Sequence, residues 1–100
     1  MRVRIFGRAR RDIATAVAWW RANRPYAPTR LEDELAAAFR KLEELPFAGP
    51  PAMDARLGKF RRLSLLETRY FVYYRVNEAR GLLEVLRVWH MSRRRPPTLP

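Results

Sequence analysis

With 100 residues, 48% of them hydrophobic, the chain has the makings of one modest core and is neither a disordered basic tail nor a multidomain protein. It has no cysteine and a single histidine, which excludes disulfides and thiolate sites and leaves no zinc set, so neither a metal nor another cofactor is expected. Its net charge is +11, and all but two of the 21 basic residues (Lys41 and Lys59) are arginine, whose planar fork suits phosphate and carboxylate oxygens, so the expected partner is a polyanion or an acidic protein.

The start, Met1 to Phe6, is basic but leads into no long apolar stretch, and no run is long enough to cross a membrane. A cytoplasmic protein is expected. Residues 2–6 predict a first strand with Val3 and Ile5 on one face. Ala9, Ile13, Ala16, Val17 and Trp20 then recur at helical spacing and predict a helix over about 8–22, ended by Asn23-Arg24-Pro25. A second helix is predicted over 29–45. Leu31, Leu35, Ala38, Leu42 and Leu45 form its stripe, Thr29 to Glu32 have capping-box spacing, and Glu32, Asp33 and Glu34 suit the helix dipole.

Pro46-Phe47-Ala48-Gly49-Pro50-Pro51 predicts a loop, with an irregular path onward to Gly58. Three strands follow, over about 59–65, 69–76 and 82–90, joined by short turns. Alternation puts Tyr70, Val72, Tyr74 and Val76 on one face and Phe71, Tyr73 and Arg75 on the other. In the last strand Leu83, Val85, Arg87 and Trp89 are set against Leu82, Glu84, Leu86, Val88 and His90. Trp19, Trp20 and Trp89 read as core or helix–sheet contacts. Residues 93–100 are a basic, proline-rich tail, extended or disordered unless a partner orders it, after a single domain over 1–92.

The fold class is therefore α+β, in the order β-α-α-β-β-β: an antiparallel sheet with an N-terminal helical hairpin packed on one face. Arginines on the strands make the other face basic. The candidate anion- or target-binding residues are Arg62, Tyr73, Arg75, Arg87, His90 and Arg93. For each arginine the competing reading is a solvated strand face; for Arg87 it is a buried partner such as Glu84 or Glu67, and for His90 a strand-end hydrogen bond.

Several segments carry a family resemblance in this order: Ala9-Arg10-Arg11-Asp12-Ile13, Trp19-Trp20, Leu45-Pro46-Phe47-Ala48-Gly49, Phe60-Arg61-Arg62-Leu63, Tyr70-Phe71-Val72-Tyr73-Tyr74-Arg75-Val76 and Val85-Leu86-Arg87-Val88-Trp89-His90-Met91-Ser92-Arg93. Together they resemble the RelE/ParE superfamily of toxins from type II toxin–antitoxin modules, and most the ParE, or plasmid-stabilisation, branch. The resemblance implies a cognate antitoxin encoded next to the toxin, and the charge of +11 leads to the expectation that it is acidic. It also implies one of two targets: DNA gyrase, seized by protein contact without a catalytic set, or messenger RNA cut on the ribosome. The second would use His90, Arg62, Arg87 and Arg93 as the nuclease set. The chain departs from the RelE pattern in having Phe71 where an arginine is common, and in having no aromatic residue after His90. The resemblance therefore leans toward a gyrase inhibitor that is not an enzyme.

Overall fold

The computed structural model describes residues 1–54 and 58–99. Strand β1 (Arg2–Ile5) leads into α1 (Gly7–Asn23) and α2 (Arg30–Glu44). Strands β2 (Pro51–Asp54), β3 (Gly58–Leu65), β4 (Tyr70–Asn77) and β5 (Leu82–His90) follow, with a short 3-10 turn between the last two. The five strands lie side by side in the order β1-β5-β4-β3-β2. The fold is α+β with both helices packed on the sheet, as expected, and each predicted helix and strand is present to within a residue or two.

Both helices bury the stripes that their spacing announces. Ala9, Ala16 and Trp20 of α1 and Leu31, Leu35, Ala38 and Leu42 of α2 share one core with Leu65, Val72, Tyr74, Leu83, Val85 and Val88 of the sheet. Leu31 and Leu42 are fully buried, each contributing about 1.5–3 kcal/mol. Three residues expected in the core lie outside it, and one of them, Trp89, packs on the opposite face of the sheet. Leu45 is more than half exposed because α2 ends one residue earlier, and Trp19 is 47% exposed on the flank of α1. The capping box does not form either. The Glu32 carboxylate is drawn to Arg21 of α1 (2.6 Å), and the Thr29 hydroxyl donates to Asp33 instead (3.1 Å).

The sheet differs from expectation in three ways. It is mixed and not antiparallel: β1 runs parallel to β5, from Arg2 opposite Leu82 to Ile5 opposite Val85, and only β2 to β5 form an antiparallel meander. The proline-rich stretch is not wholly irregular, because Pro51–Asp54 pair with β3 as an edge strand, where a missing N–H costs no ladder bond. Residues 55–57 of that stretch lie outside the described residues. Finally, β5 carries a bulge. Tyr73 faces Arg87 and Tyr74 faces Val85, leaving Leu86 as an extra residue. The extra residue resets the alternation, so Val88 joins Leu83 and Val85 in the helix-covered core, and His90 turns to that same side.

Two devices fix the loops around this frame. The Gly49 N–H donates to the buried Tyr74 hydroxyl (2.8 Å), and a Cβ at Gly49 would lie 2.7 Å from that oxygen, so no larger residue fits. Arg61 holds the same loop by donating to the carbonyls of Gly49 (2.8 Å) and Phe47 (3.2 Å). Beyond His90, the segment expected to be an extended or disordered tail runs back along the molecule. Trp89 Nε1 donates to Arg95 O (2.9 Å), Arg87 Nη1 donates to Thr98 O (3.0 Å), and Pro97 is buried.

Candidate functional site

The face of the sheet turned away from the helices gathers aromatic and cationic side chains at one end. Register places Tyr73 between Arg62 and Arg87, and Phe71 opposite Trp89. The Arg62 guanidinium lies 4.1 Å from the Phe71 ring centre, and that of Arg93 lies 4.0 Å from Trp89. Tyr73 is 4% exposed and packs against the rings of Phe60 and Phe71. Arg62, Tyr73, Trp89, His90, Arg93 and Arg95 are among the residues that enclose a groove of about 200 Å³. No carboxylate is among its described lining residues. Guanidinium groups that stack by their faces keep their N–H edges for other partners.

His90 sits at the strand end between this groove and a second cavity of about 440 Å³ on the α1 side, lined in part by Asp12, Trp19 and Tyr70. Its ring stands at right angles to that of Tyr70, with centres 4.9 Å apart. Nδ1 accepts the Ser92 N–H (3.1 Å) and lies 2.7 Å from the Ser92 hydroxyl. These bonds assign the lone pair to Nδ1 and, in the neutral ring, the proton to Nε2. Burial, with help from the Arg93 and Arg69 charges, pushes the imidazole below its usual 6.5. At this strand end His90 is thus a neutral ring whose Nδ1 is already occupied.

This arrangement has a consequence for stability. A histidine disfavoured as a cation leaves the folded state short of a proton that the unfolded state takes up as pH falls through 6.5. The contribution of His90 is therefore fully present above 6.5 and declines as pH drops toward the lowered folded value. Urea midpoints at about pH 7.5 and about pH 5.5 should show a smaller acid-side loss for His90→Gln than for the parent chain. Equal losses in both proteins would assign the acid sensitivity elsewhere.

The structure does not bring all six candidates together. Arg62, Tyr73, His90 and Arg93 line the one groove. Arg75 lies along the sheet, where its Nε meets the buried carboxylate of Glu84 (2.9 Å). The Arg75 hydrogen bond holds that carboxyl below its usual range against the opposing effect of burial. Arg87 has a partly buried partner, and it is neither Glu84 nor Glu67. Asp12 of α1 takes both Arg87 Nε (2.7 Å) and Nη2 (3.0 Å), and the same carboxylate accepts the Val88 N–H (3.0 Å). β1 stops opposite Val85, so the edge of β5 beyond it has no strand neighbour, and Asp12 takes the place of one. The sequence does carry a signal for this role. Asp12 lies three residues after Ala9 and four before Ala16, on the apolar face of α1, where a carboxylate needs a partner.

Comparison with known proteins agrees with this architecture. A family model described as the ParE toxin of the type II toxin–antitoxin system parDE matches residues 3–95. Among solved structures, the chain resembles one from the chromosomal ParDE toxin–antitoxin system of P. aeruginosa, with a TM-score of 0.73 and 16% identity over 92% of this chain and 97% of that one. It also resembles a chain of the RelBE2 toxin–antitoxin complex of Mycobacterium tuberculosis, with a TM-score of 0.58 and 24% identity over 89% and 95% of the two chains. No curated protein is similar enough in sequence to count as a match. At such identities the two structures speak for the fold alone, whereas the family model spans nearly the whole chain: the protein belongs to the ParE toxin family of type II toxin–antitoxin systems.

Proposed function

We propose that this toxin disables DNA gyrase by protein contact in the cytoplasm, and that an acidic antitoxin encoded beside it holds it inactive. The observation that carries the reading is the match to the ParE family model from residue 3 to residue 95. The site geometry supports it. Of the four residues in the nuclease set, Arg87 is committed to Asp12 and to Thr98 O, and His90 has its Nδ1 lone pair occupied by Ser92. A general base needs a free lone pair within reach of the proton it removes. A protein-binding toxin needs no such group.

The charge of +11 supports an acidic antitoxin. So does the cluster of Arg2, Arg4, Arg10 and Arg80 along β1, which forms the wall of a cavity with no described carboxylate in its lining. The deciding experiment is a supercoiling assay with purified gyrase beside in vitro translation, using one toxin preparation. Loss of supercoiling with normal translation is expected. Blocked translation with gyrase unaffected would overturn the reading. One observation favours that second outcome, a ribosome-dependent mRNA endonuclease: Arg62, His90 and Arg93 share a groove. His90→Ala should then restore translation.

A further inference from the structure

The edge of β5 beyond the end of β1 is only half satisfied. The Met91 N–H donates to Arg69 O (2.8 Å), so His90, opposite Tyr70, turns its own N–H and C=O away from β4. Val88 does the same two residues earlier, with its N–H on Asp12 (3.0 Å). Two of the four backbone groups on this edge are therefore taken: the Val88 N–H by Asp12, and the His90 C=O by the Arg93 N–H (3.1 Å). The Val88 C=O and the His90 N–H have no partner among the described residues. The edge borders the cavity of about 440 Å³ between α1 and the sheet. Tyr70 lines that cavity too; it is 8% exposed, and its hydroxyl has no partner among the described residues. No fully buried side-chain oxygen or nitrogen among those residues lacks a partner, so this hydroxyl opens to the cavity.

We propose that this cavity captures the C-terminal residue of a partner polypeptide, one that ends in an apolar side chain and a free carboxylate. In a parallel ladder one residue bridges two on its neighbour. It donates its N–H to one carbonyl and accepts from the N–H two residues further on. The Val88 C=O and the His90 N–H form that pair, on the line that β1 follows along β5. An antiparallel residue would need both groups of Val88 or both of His90, and one of each is taken. The line is closed at both ends, by Asp12 at the Val88 N–H and by the turn that puts the Arg93 N–H on His90 O. It therefore holds one residue, and the group it offers to the His90 N–H can be a terminal carboxylate. The Tyr70 hydroxyl is a second donor for that group, and Arg93 lines the cavity without an ion pair among the described residues. Asp12 is matched by Arg87, so the lining carries one unmatched positive charge, enough for a carboxylate and too little for a phosphate dianion. Ala16, Val88 and the exposed Trp19 supply the wall for an apolar side chain. A chain end brings the single N–H that the Val88 C=O takes. The ammonium of a free amino acid has three, and the Asp12 oxygens beside it already serve Arg87 and Val88. The site lies on the helix side of β5 and does not depend on the gyrase reading.

The test is fluorescence anisotropy of a labelled hexapeptide of glycine and serine ending in leucine, with the full chain purified away from its antitoxin. The free-acid peptide should bind, and the same peptide amidated at its C-terminus should bind at least about tenfold more weakly. Tyr70→Phe keeps the ring and loses the hydroxyl, and should weaken the free acid about fivefold. Arg93→Ala should weaken it about tenfold. Arg40→Ala, on the exposed side of α2, should change it less than about twofold. Hydrogen exchange at the His90 amide should slow when the peptide is bound, a reading that needs no variant. Equal binding of acid and amide, or no binding of either up to about 1 mM, would overturn the site. Equal losses from Arg93→Ala and Arg40→Ala would reduce the binding to net charge and overturn it as well. Free leucine competing as strongly as N-acetyl-leucine would overturn the assignment to a chain end and make the ligand a free amino acid. No gyrase is present in this assay, so its failure and that of the gyrase reading are separate results.

Discussion

Asp12→Ala should cost about 3–5 kcal/mol of folding stability, a large part of what a domain of this size possesses. The Arg87 and Asp12 side chains are 14% and 16% exposed, so removing the carboxylate strands a guanidinium where water reaches it poorly. It also removes the acceptor of the Val88 N–H and so opens the free edge of β5. The melting temperature should fall by about 12 °C or more. A double-mutant cycle with Arg87→Met should recover part of the loss, because a stem without charge no longer needs a partner. Arg21→Ala offers a contrast. Its ion pair with Glu32 is 55% and 37% exposed, and its removal should cost less than about 1 kcal/mol. If the two single variants melted together, Asp12 would be an ordinary surface acid.

Glu34→Ala is expected to be the second most damaging change, at about 2–3 kcal/mol. Glu34 does not serve the start of α2. Its carboxylate reaches the β3–β4 turn and accepts the amides of Glu67 and Thr68 (3.0 Å each) and the Thr68 hydroxyl (2.6 Å). Thr68 is 1% exposed, so its donors have no ready replacement in water. The next residue, Arg69, adopts φ of 68°, a left-handed conformation that costs free energy outside glycine and depends on the turn being held. Hydrogen exchange should therefore quicken at the Glu67 and Thr68 amides before it quickens elsewhere in the sheet. Protection of these two amides that survives the substitution would show that the turn stands without the carboxylate.

Much of this fold was legible because two periods dominate it. Ala9 to Trp20 and Leu31 to Leu42 repeat at helical spacing and Tyr70, Val72 and Tyr74 alternate, so their burial followed from position alone, whereas the burial of Tyr73 on the opposite face did not. Periodicity is a local signal, and the features it missed are local exceptions or distant contacts. β2 is four residues long and begins with proline, which leaves too little pattern to detect. The bulge leaves no distinct mark, because Leu82-Leu83, Val85-Leu86 and Val88-Trp89 are all adjacent apolar pairs in that strand. Asp12 and Arg87 are 75 residues apart, and Glu34 and Thr68 are 34 apart. No rule of neighbours joins such pairs. The candidate site was readable to the same extent. Arg62, Tyr73, His90 and Arg93 converge on the groove, while the partners that fix Arg75 and Arg87 elsewhere only emerge from the tertiary structure.

The parallel pairing of β1 with β5 also sets a timetable. Arg2 lies beside Leu82, so the first strand finds its neighbour only after some eighty further residues have been made. Until then Val3, Ile5 and the apolar stripes of both helices have no sheet to cover. Contacts this remote in sequence close large loops late and slow the search. A nascent chain leaving the ribosome therefore gains β5, the neighbour of β1, only after the other strands, and the hairpin can dock only then. The arginine groove stands on that same strand and on the segment behind it, so it cannot form before the other strands are in place.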